Sequence, residues 1–310
     1  MDKKRIHITA PASTANLGPG FDCLGLSLAL YHTLKVSELD GVGLEIQASG
    51  EGAETVTLDE DNMVYQAMKQ IFVVADYRPG RLRLESHNEI PLASGLGSSA
   101  AAYVAGLTAG MLISGWGPDR VRLIEMGVEK EGHADNVVPC VLGGFTVAGT
   151  TGGQIDYLRL EPPESLQAVV VVPDFTLPTK QARSVLPQEV PFRDAVLNQG
   201  RLGLLIAAVA SDRLELLRTA MEDVLHQPYR AELVPGLEEV RQAALEAGAL
   251  GAALSGAGPT ILALVRPEKT TVGQAMQEAW SRRGIESRSM VLQVDRTGLR
   301  AEMEEGKSYA

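Results

Sequence analysis

The segment Pro91-Leu92-Ala93-Ser94-Gly95-Leu96-Gly97-Ser98-Ser99-Ala100 constrains this chain more than any other. Its glycines permit close backbone approach, and the small residues from Ser99 onward read as a tightly packed buried helix. A helix that starts straight after such a turn aims unpaired N–H groups and about half a positive charge outward, so it can hold an anion without a lysine. The hydroxyls of Ser98 and Ser99 can reach a phosphate oxygen or Mg²⁺. The loop is not a Walker A motif, because no Gly-Lys-Ser/Thr closes it. Gly306-Lys307-Ser308 is a chance match, with Ala301 where the first glycine should stand. The looser G-x-G-x-x-A pattern is present, but the residues before it are too polar for the buried strand of a dinucleotide fold.

Charge narrows the choice of ligand. With 28 Lys plus Arg against 39 Asp plus Glu, the net charge is −11, the wrong sign for generic attraction to nucleic acid or an anionic membrane. An anionic ligand must therefore be held by local donors. The apolar run 202–210 is about half the ~20 residues that span a bilayer. Cys23 and Cys140 cannot build a disulfide scaffold, and the amino terminus has no apolar signal-like run, so a reducing cytoplasm is the expected home.

At a customary ~150 residues per domain, 310 residues suggest two domains. Alternation in RIHITAP predicts a strand ending at Pro11. Asp61 precedes a helical stripe of Val64, Ala67, Met68, Ile71 and Phe72. Residues 81–85 read as a strand, and Pro118 and Asp119 open a helix closed near Gly132. The strand in LGGFTVAGTTGG fades into a Gly/Thr turn at 149–153, the expected domain boundary, giving units 1–152 and 153–310. AVVVVPDF reads as a buried strand, helical patterns follow at 192–210, 212–225 and 235–247, and the last ten residues read as a solvated tail. The alternation of strands and helices indicates an α/β or α+β chain.

Two further loops carry turn formers. Pro11 to Cys23 holds Asn16 and Asp22 six residues apart, which local Asx-turns explain only in part. Ser255-Gly256-Ala257-Gly258-Pro259-Thr260 taken alone is a tight turn.

In order and wording the three loops resemble the galactokinase, homoserine kinase, mevalonate kinase and phosphomevalonate kinase (GHMP) superfamily, from Ile6 to about Val265. Within it, PASTANLGPGFD, EGHADNVVP, TKQAR and HQPYR look like the homoserine kinases. The resemblance implies an α+β, two-domain GHMP kinase fold, with an N-terminal ribosomal-protein-S5-domain-2-like domain and a C-terminal ferredoxin-like α/β sandwich. It implies ATP-dependent phosphorylation of the L-homoserine side-chain hydroxyl, with Mg²⁺, and a homodimer. ATP would lie along residues 91–100 and Ala101, with adenine near Asn62.

By the same resemblance Ser99, or else Ser98, and Glu125 hold the metal, though residue chemistry alone does not separate Glu125 from Glu129 and Glu131. Asn16, Asp22, His133, Thr179, Arg183 and Arg230 would line the substrate pocket. Asp22 suits an ammonium, and the two arginines suit a carboxylate. Asp135 is open to two roles, a general base or an anchor for its loop, while Asn136 orients the hydroxyl. Ser255, Gly256 and Gly258 would support the phosphate loop. A kinase for mevalonate, which has no ammonium, would leave Asp22 without a partner. A ligand sensor and an NAD-dependent oxidoreductase are weaker alternatives.

Overall fold

Strand β1 (Lys4–Asn16) alternates buried and open positions over its first half, and its partner β2 (Gly20–Leu39) buries Leu24, Leu26, Leu28, Leu34 and Val36. The two form a long antiparallel hairpin paired from Lys4↔Glu38 to Asn16↔Gly20, with register shifts between Pro11 and Ala12 and between Ala15 and Asn16. The computed structural model describes residues 4–303 and 307–309.

On the far side of β2 lies β4 (Arg81–Asn88), which pairs in parallel with β3 (Leu44–Gly50). The crossover between them carries α1 (Met63–Val74). Helix α2 (Ser98–Ser114) packs on α1, buried on nearly every side, as its small residues predict. Next come α3 (Arg120–Glu131), α4 (Val137–Leu142), and the hairpin β5 (Phe145–Thr151) and β6 (Gln154–Leu160), whose first strand pairs with the tip half of β2.

The second sheet has order β10-β7-β9-β8, built from β7 (Gln167–Pro173), β8 (Gly251–Leu254), β9 (Ile261–Val265) and β10 (Ser287–Gln293). Its helices are α5 (Thr179–Ser184), α6 (Phe192–Ala210), α7 (Leu217–Ala220), α8 (Gln227–Arg230), α9 (Leu237–Glu246) and α10 (Val272–Ser281). The central strands are apolar on both faces. Val170, Val172, Leu262 and Leu264 join α6 and α7 in the same core as the first sheet, while Val169, Val171, Ile261 and Ala263 pack under α9 and α10 around Trp280.

Four expectations need correction. The helical pattern at 212–225 is reduced to a 3-10 turn at Leu214–Leu216 and the four residues of α7, whose C-cap is Met221. The first strand does not stop at Pro11: it passes a register shift between Pro11 and Ala12, the kind of irregularity that tolerates a residue without an N–H, and reaches Asn16. The turn at 149–153 is no domain boundary, since it is the tip of the β5–β6 hairpin within one sheet, and the chain enters the second sheet only at β7. Residues 301–303 are not a solvated tail. Strand β11 (Arg300–Met303) pairs with β1, setting Ala301 opposite Ile8, and β12 (Lys307–Tyr309) pairs with β11. Among the described residues no helix is long and apolar enough to cross a membrane.

Ala301 is 3% exposed. An aspartate there places an unpaired charge in the core, so Ala301→Asp should destabilise the protein by roughly 2–4 kcal/mol in urea unfolding. A tail residue would tolerate the change within about 0.5 kcal/mol.

Candidate active site

Three distant segments meet at one cleft. They are the β1–β2 hairpin tip, the 91–97 loop between β4 and α2, and the 255–260 loop between β8 and β9. The middle loop is fastened through its carbonyls: Leu96 O accepts from Ser13 N–H at 3.1 Å, Ser94 O from Thr260 N–H at 3.2 Å and Ala93 O from Leu177 N–H at 3.2 Å. Ser255 Oγ donates to Gly95 O at 2.7 Å and lies 2.8 Å from Thr14 Oγ1. Among the described residues, by contrast, no N–H from Gly95 to Ser99 donates to a protein acceptor.

Both glycines are required. Gly95 and Gly97 have φ of +85° and +72°, and a Cβ on them would sit 2.1 Å from Ser255 O and 2.2 Å from Ser13 Oγ. Gly97 caps α2 without a side chain, which leaves the first N–H groups of that helix directed at the cleft.

The cleft is lined by Pro91, Ala93 to Ala100, Asn16, Asp22, Glu131, His133, Asp135, Asn136, Thr179, Arg183, Arg230, Gly256 and Ala257. Asp22 and Arg183 form a two-pronged ion pair with N···O distances of 2.6 and 3.0 Å. Arg230 is almost wholly buried at the end of α8, donating to the carbonyls of Ala182 (3.1 Å) and Gly256 (3.0 Å) and to His226 Nδ1 (3.2 Å). Burial, and then the neighbouring charge of Arg183, bring its pKa down to about 10, so it stays charged at neutral pH. His226 is kept neutral mainly by burial; its Nε2 lies 2.8 Å from Gly18 O, so its Nδ1 is free to accept from Arg230. The Phe21 ring lies 5.3 Å from both guanidinium groups and holds two like charges near one another.

Close to the Asp22–Arg183 pair, His133 Nδ1 lies 2.5 Å from Asp135 Oδ1, and Asp22, His133 and Asp135 each offer an atom within 4.8 Å of the others. Asn136 Oδ1 accepts from Ser13 Oγ at 2.9 Å. Asn16 sits in the left-handed region at the hairpin tip, its carboxamide holding Gly256 O at 2.9 Å and Asp22 N–H at 3.0 Å, so the Asx-turn reading accounts for much of this residue.

Two expected residues lie elsewhere. Glu125 is on the exposed side of α3, with Arg122 3.9 Å away, and does not line the cleft. Glu131 lines it instead, its Oε1 accepting from Ser99 Oγ at 2.6 Å. Glu131 follows Ile124 and Val128, both buried, by seven and three residues, so helical periodicity puts it on the inward face and Glu125 off it. Asn62 lines a second, adjoining cavity of about 400 Å³, with Met63, Val64, Ala102 and side chains between Ala48 and Thr57, and Ser98 and Ser99 line both cavities. Its carboxamide is occupied as the cap of α1, accepting from Val64 and Tyr65 N–H and donating to Thr57 O. Leu92 lines this cavity, whereas Ala101, Ser255 and Gly258 stand behind the cleft. Val42, Leu44 and Ile46 alternate in the sequence as a strand should, but nothing there marked the end of β3 and the loop after it as a wall of this cavity.

Two family models match: "GHMP kinases N terminal domain" over residues 62–144 and "GHMP kinases C terminal" over 205–286. The homoserine kinase of Microchaete diplosiphon is 44% identical over 294 residues, covering 94% of this chain and 96% of that one. That of Moorella thermoacetica is 45% identical over 278 residues, with 90% and 93% covered. The chain belongs to the homoserine kinase family of the GHMP kinases. A crystal structure of homoserine kinase from Cytophaga hutchinsonii superposes with a TM-score of 0.87 at 32% identity, covering 97% of this chain and 98% of that one. The L. major mevalonate kinase shares the fold, with a TM-score of 0.72 at 16% identity over 92% of this chain and 95% of that one. The α+β GHMP kinase fold expected from the motifs is therefore the fold of this homoserine kinase family member.

Burial disfavours the charged form of His133, but the hydrogen bond and charge of Asp135 outweigh it, with Asp22 adding to them, and the pKa is raised. A raised histidine pKa stabilises the fold fully below the ordinary value near 6.5, and this contribution fades as pH rises through the raised value. NMR titration should give His133 a midpoint above 6.5, and Asp135→Asn should bring that midpoint down. A midpoint indifferent to Asp135→Asn would show that the pair does not set it.

Proposed function

We propose that this protein transfers the γ-phosphoryl group of ATP to the side-chain hydroxyl of L-homoserine, giving O-phospho-L-homoserine and ADP on the route to threonine. The observation that carries the reading is the charge balance of the cleft. Arg183, Arg230 and Asp22 converge beside a loop of undonated amides, the set a zwitterionic amino acid needs next to a triphosphate.

Without substrate, Asp22 and Arg183 neutralise each other. On binding, the homoserine carboxylate takes the Arg183 and Arg230 guanidinium groups and its ammonium takes Asp22, so one internal ion pair is exchanged for pairs with the ligand. Asn136 then donates from its amide to the acceptor oxygen. Asp135 serves as the counter-ion of His133 and as a brace for its loop, not as the base. Phosphoryl transfer through a loose transition state makes little demand for one, and the hydroxyl proton passes to a phosphoryl oxygen. Catalysis is then chiefly alignment plus charge stabilisation.

Ser99 Oγ and Glu131 Oε1, 2.6 Å apart at the start of α2, are the hard oxygen donors that fit Mg²⁺ escorting ATP, and the ion would supply charge neutralisation at the phosphates. The adjoining cavity, which shares Ser98 and Ser99 with the phosphate-loop cleft, suits the adenosine end.

A coupled ADP-release assay over homoserine, mevalonate, shikimate, serine and threonine, at fixed ATP and Mg²⁺, should give its strongest signal with homoserine. Arg230→Ala should lower kcat/KM for homoserine by about 100-fold and change the KM for ATP by less than about threefold. Turnover of mevalonate without turnover of homoserine would overturn the substrate assignment. Equal losses towards both substrates would remove Arg230 from the carboxylate site.

A further inference from the structure

Ser13 stands apart from the residues that face the ligands. It is fully buried in β1, just past the register shift at Pro11, yet it joins two parts of the cleft. Its backbone N–H holds Leu96 O at 3.1 Å, and its hydroxyl donates to Asn136 Oδ1 at 2.9 Å. The contact is tight on the third side as well, because a Cβ on Gly97 would lie 2.2 Å from Ser13 Oγ and 3.1 Å from Asn136 Oδ1. Phosphate loop, serine hydroxyl and carboxamide are thus stacked with no room between them.

A carboxamide has two ends of nearly equal shape and opposite polarity, so something must decide which end meets the acceptor alcohol. With Oδ1 held by the Ser13 hydroxyl, the Nδ2 donor end turns the other way, 3.5 Å from Asp135 Oδ1. The flipped arrangement would set Oδ1 against the Asp135 carboxylate, acceptor against acceptor, and leave the serine proton without that partner. Resting on the reading of Asn136 given above, we propose that Ser13 is a positioning residue of the phosphoryl transfer: it fixes the Asn136 amide as a donor towards the acceptor hydroxyl and ties that amide to the phosphate loop. The alignment of nucleophile and phosphate is thereby set by one residue that touches neither.

The test is a cycle of Ser13→Ala, Asn136→Ala and the double variant in the full-length enzyme, reading kcat with homoserine, both KM values and the melting temperature. Ser13→Ala should lower kcat about tenfold and leave the KM for ATP within about twofold. The double variant should be no slower than Asn136→Ala alone, because Ser13 has nothing left to orient. Ser13→Gly and Ser13→Cys, the first smaller and without a donor and the second slightly bulkier with only a weak one, keep the test open if alanine unfolds the protein, and whichever of them melts near normally should show the same fall in kcat. An unchanged kcat in Asn136→Ala overturns the reading of Asn136 on which this rests. A slow Asn136→Ala beside a fast Ser13→Ala and Ser13→Cys, or losses that multiply in the double variant, overturns the role of Ser13 itself.

Discussion

A peptide unit points its carbonyl and its N–H in opposite directions, and the turn at 93–97 exploits this constraint. The carbonyls of Ala93, Ser94, Gly95 and Leu96 are each taken by protein donors, from the 177 segment, the third loop and β1. The amides that follow are left facing the cleft, at the positive end of the long buried helix α2. The anion site therefore depends on segments more than 200 residues apart in the chain, and on glycines where any side chain would strike Ser13 or Ser255. A negatively charged protein can hold a triphosphate this way because the attraction is local.

Beside that grip, the substrate pocket manages a difficult charge distribution. Two guanidinium groups that would repel one another flank Phe21, one paired with Asp22 and the other buried among carbonyls and a neutral His226. Burial raises the cost of every unpaired charge here, so the empty pocket is neutralised from within and a zwitterion is the ligand that leaves it balanced. A ligand with a carboxylate and no ammonium would break the Asp22–Arg183 pair and leave the acid uncompensated. In the proposed binding mode, discrimination against such molecules follows from the same pair.

The motifs made the fold family and most of the cleft legible, because loops with demanding backbone geometry restrict their residues tightly. The strands and helices around them announced themselves by periodicity, with α6 foreseen at its full extent. What escaped was set by tertiary contact. The four residues of β11 are too few to show a pattern, and only their pairing with β1 makes them structure. Glycines at 152 and 153 serve a hairpin tip as well as a linker, so composition misplaced the boundary. Glu125 fitted the family spacing, whereas the helical stripe of Ile124 and Val128 points to Glu131, a signal present in the sequence but outweighed. Asn62 lines the adjoining cavity, but its carboxamide is spent capping α1, and Ser13 carried no signal beyond lying in a motif.

The central claim is that free backbone amides of residues 95–99 receive the phosphates. Backbone amide NMR during titration with a non-hydrolysable ATP analogue tests it most directly. The account predicts that the largest shifts fall on Gly95 to Ser99, while Ser13 and Thr260, whose N–H groups already bind loop carbonyls, keep their hydrogen-exchange protection. Saturable binding of the nucleotide with those five amides unmoved would contradict it.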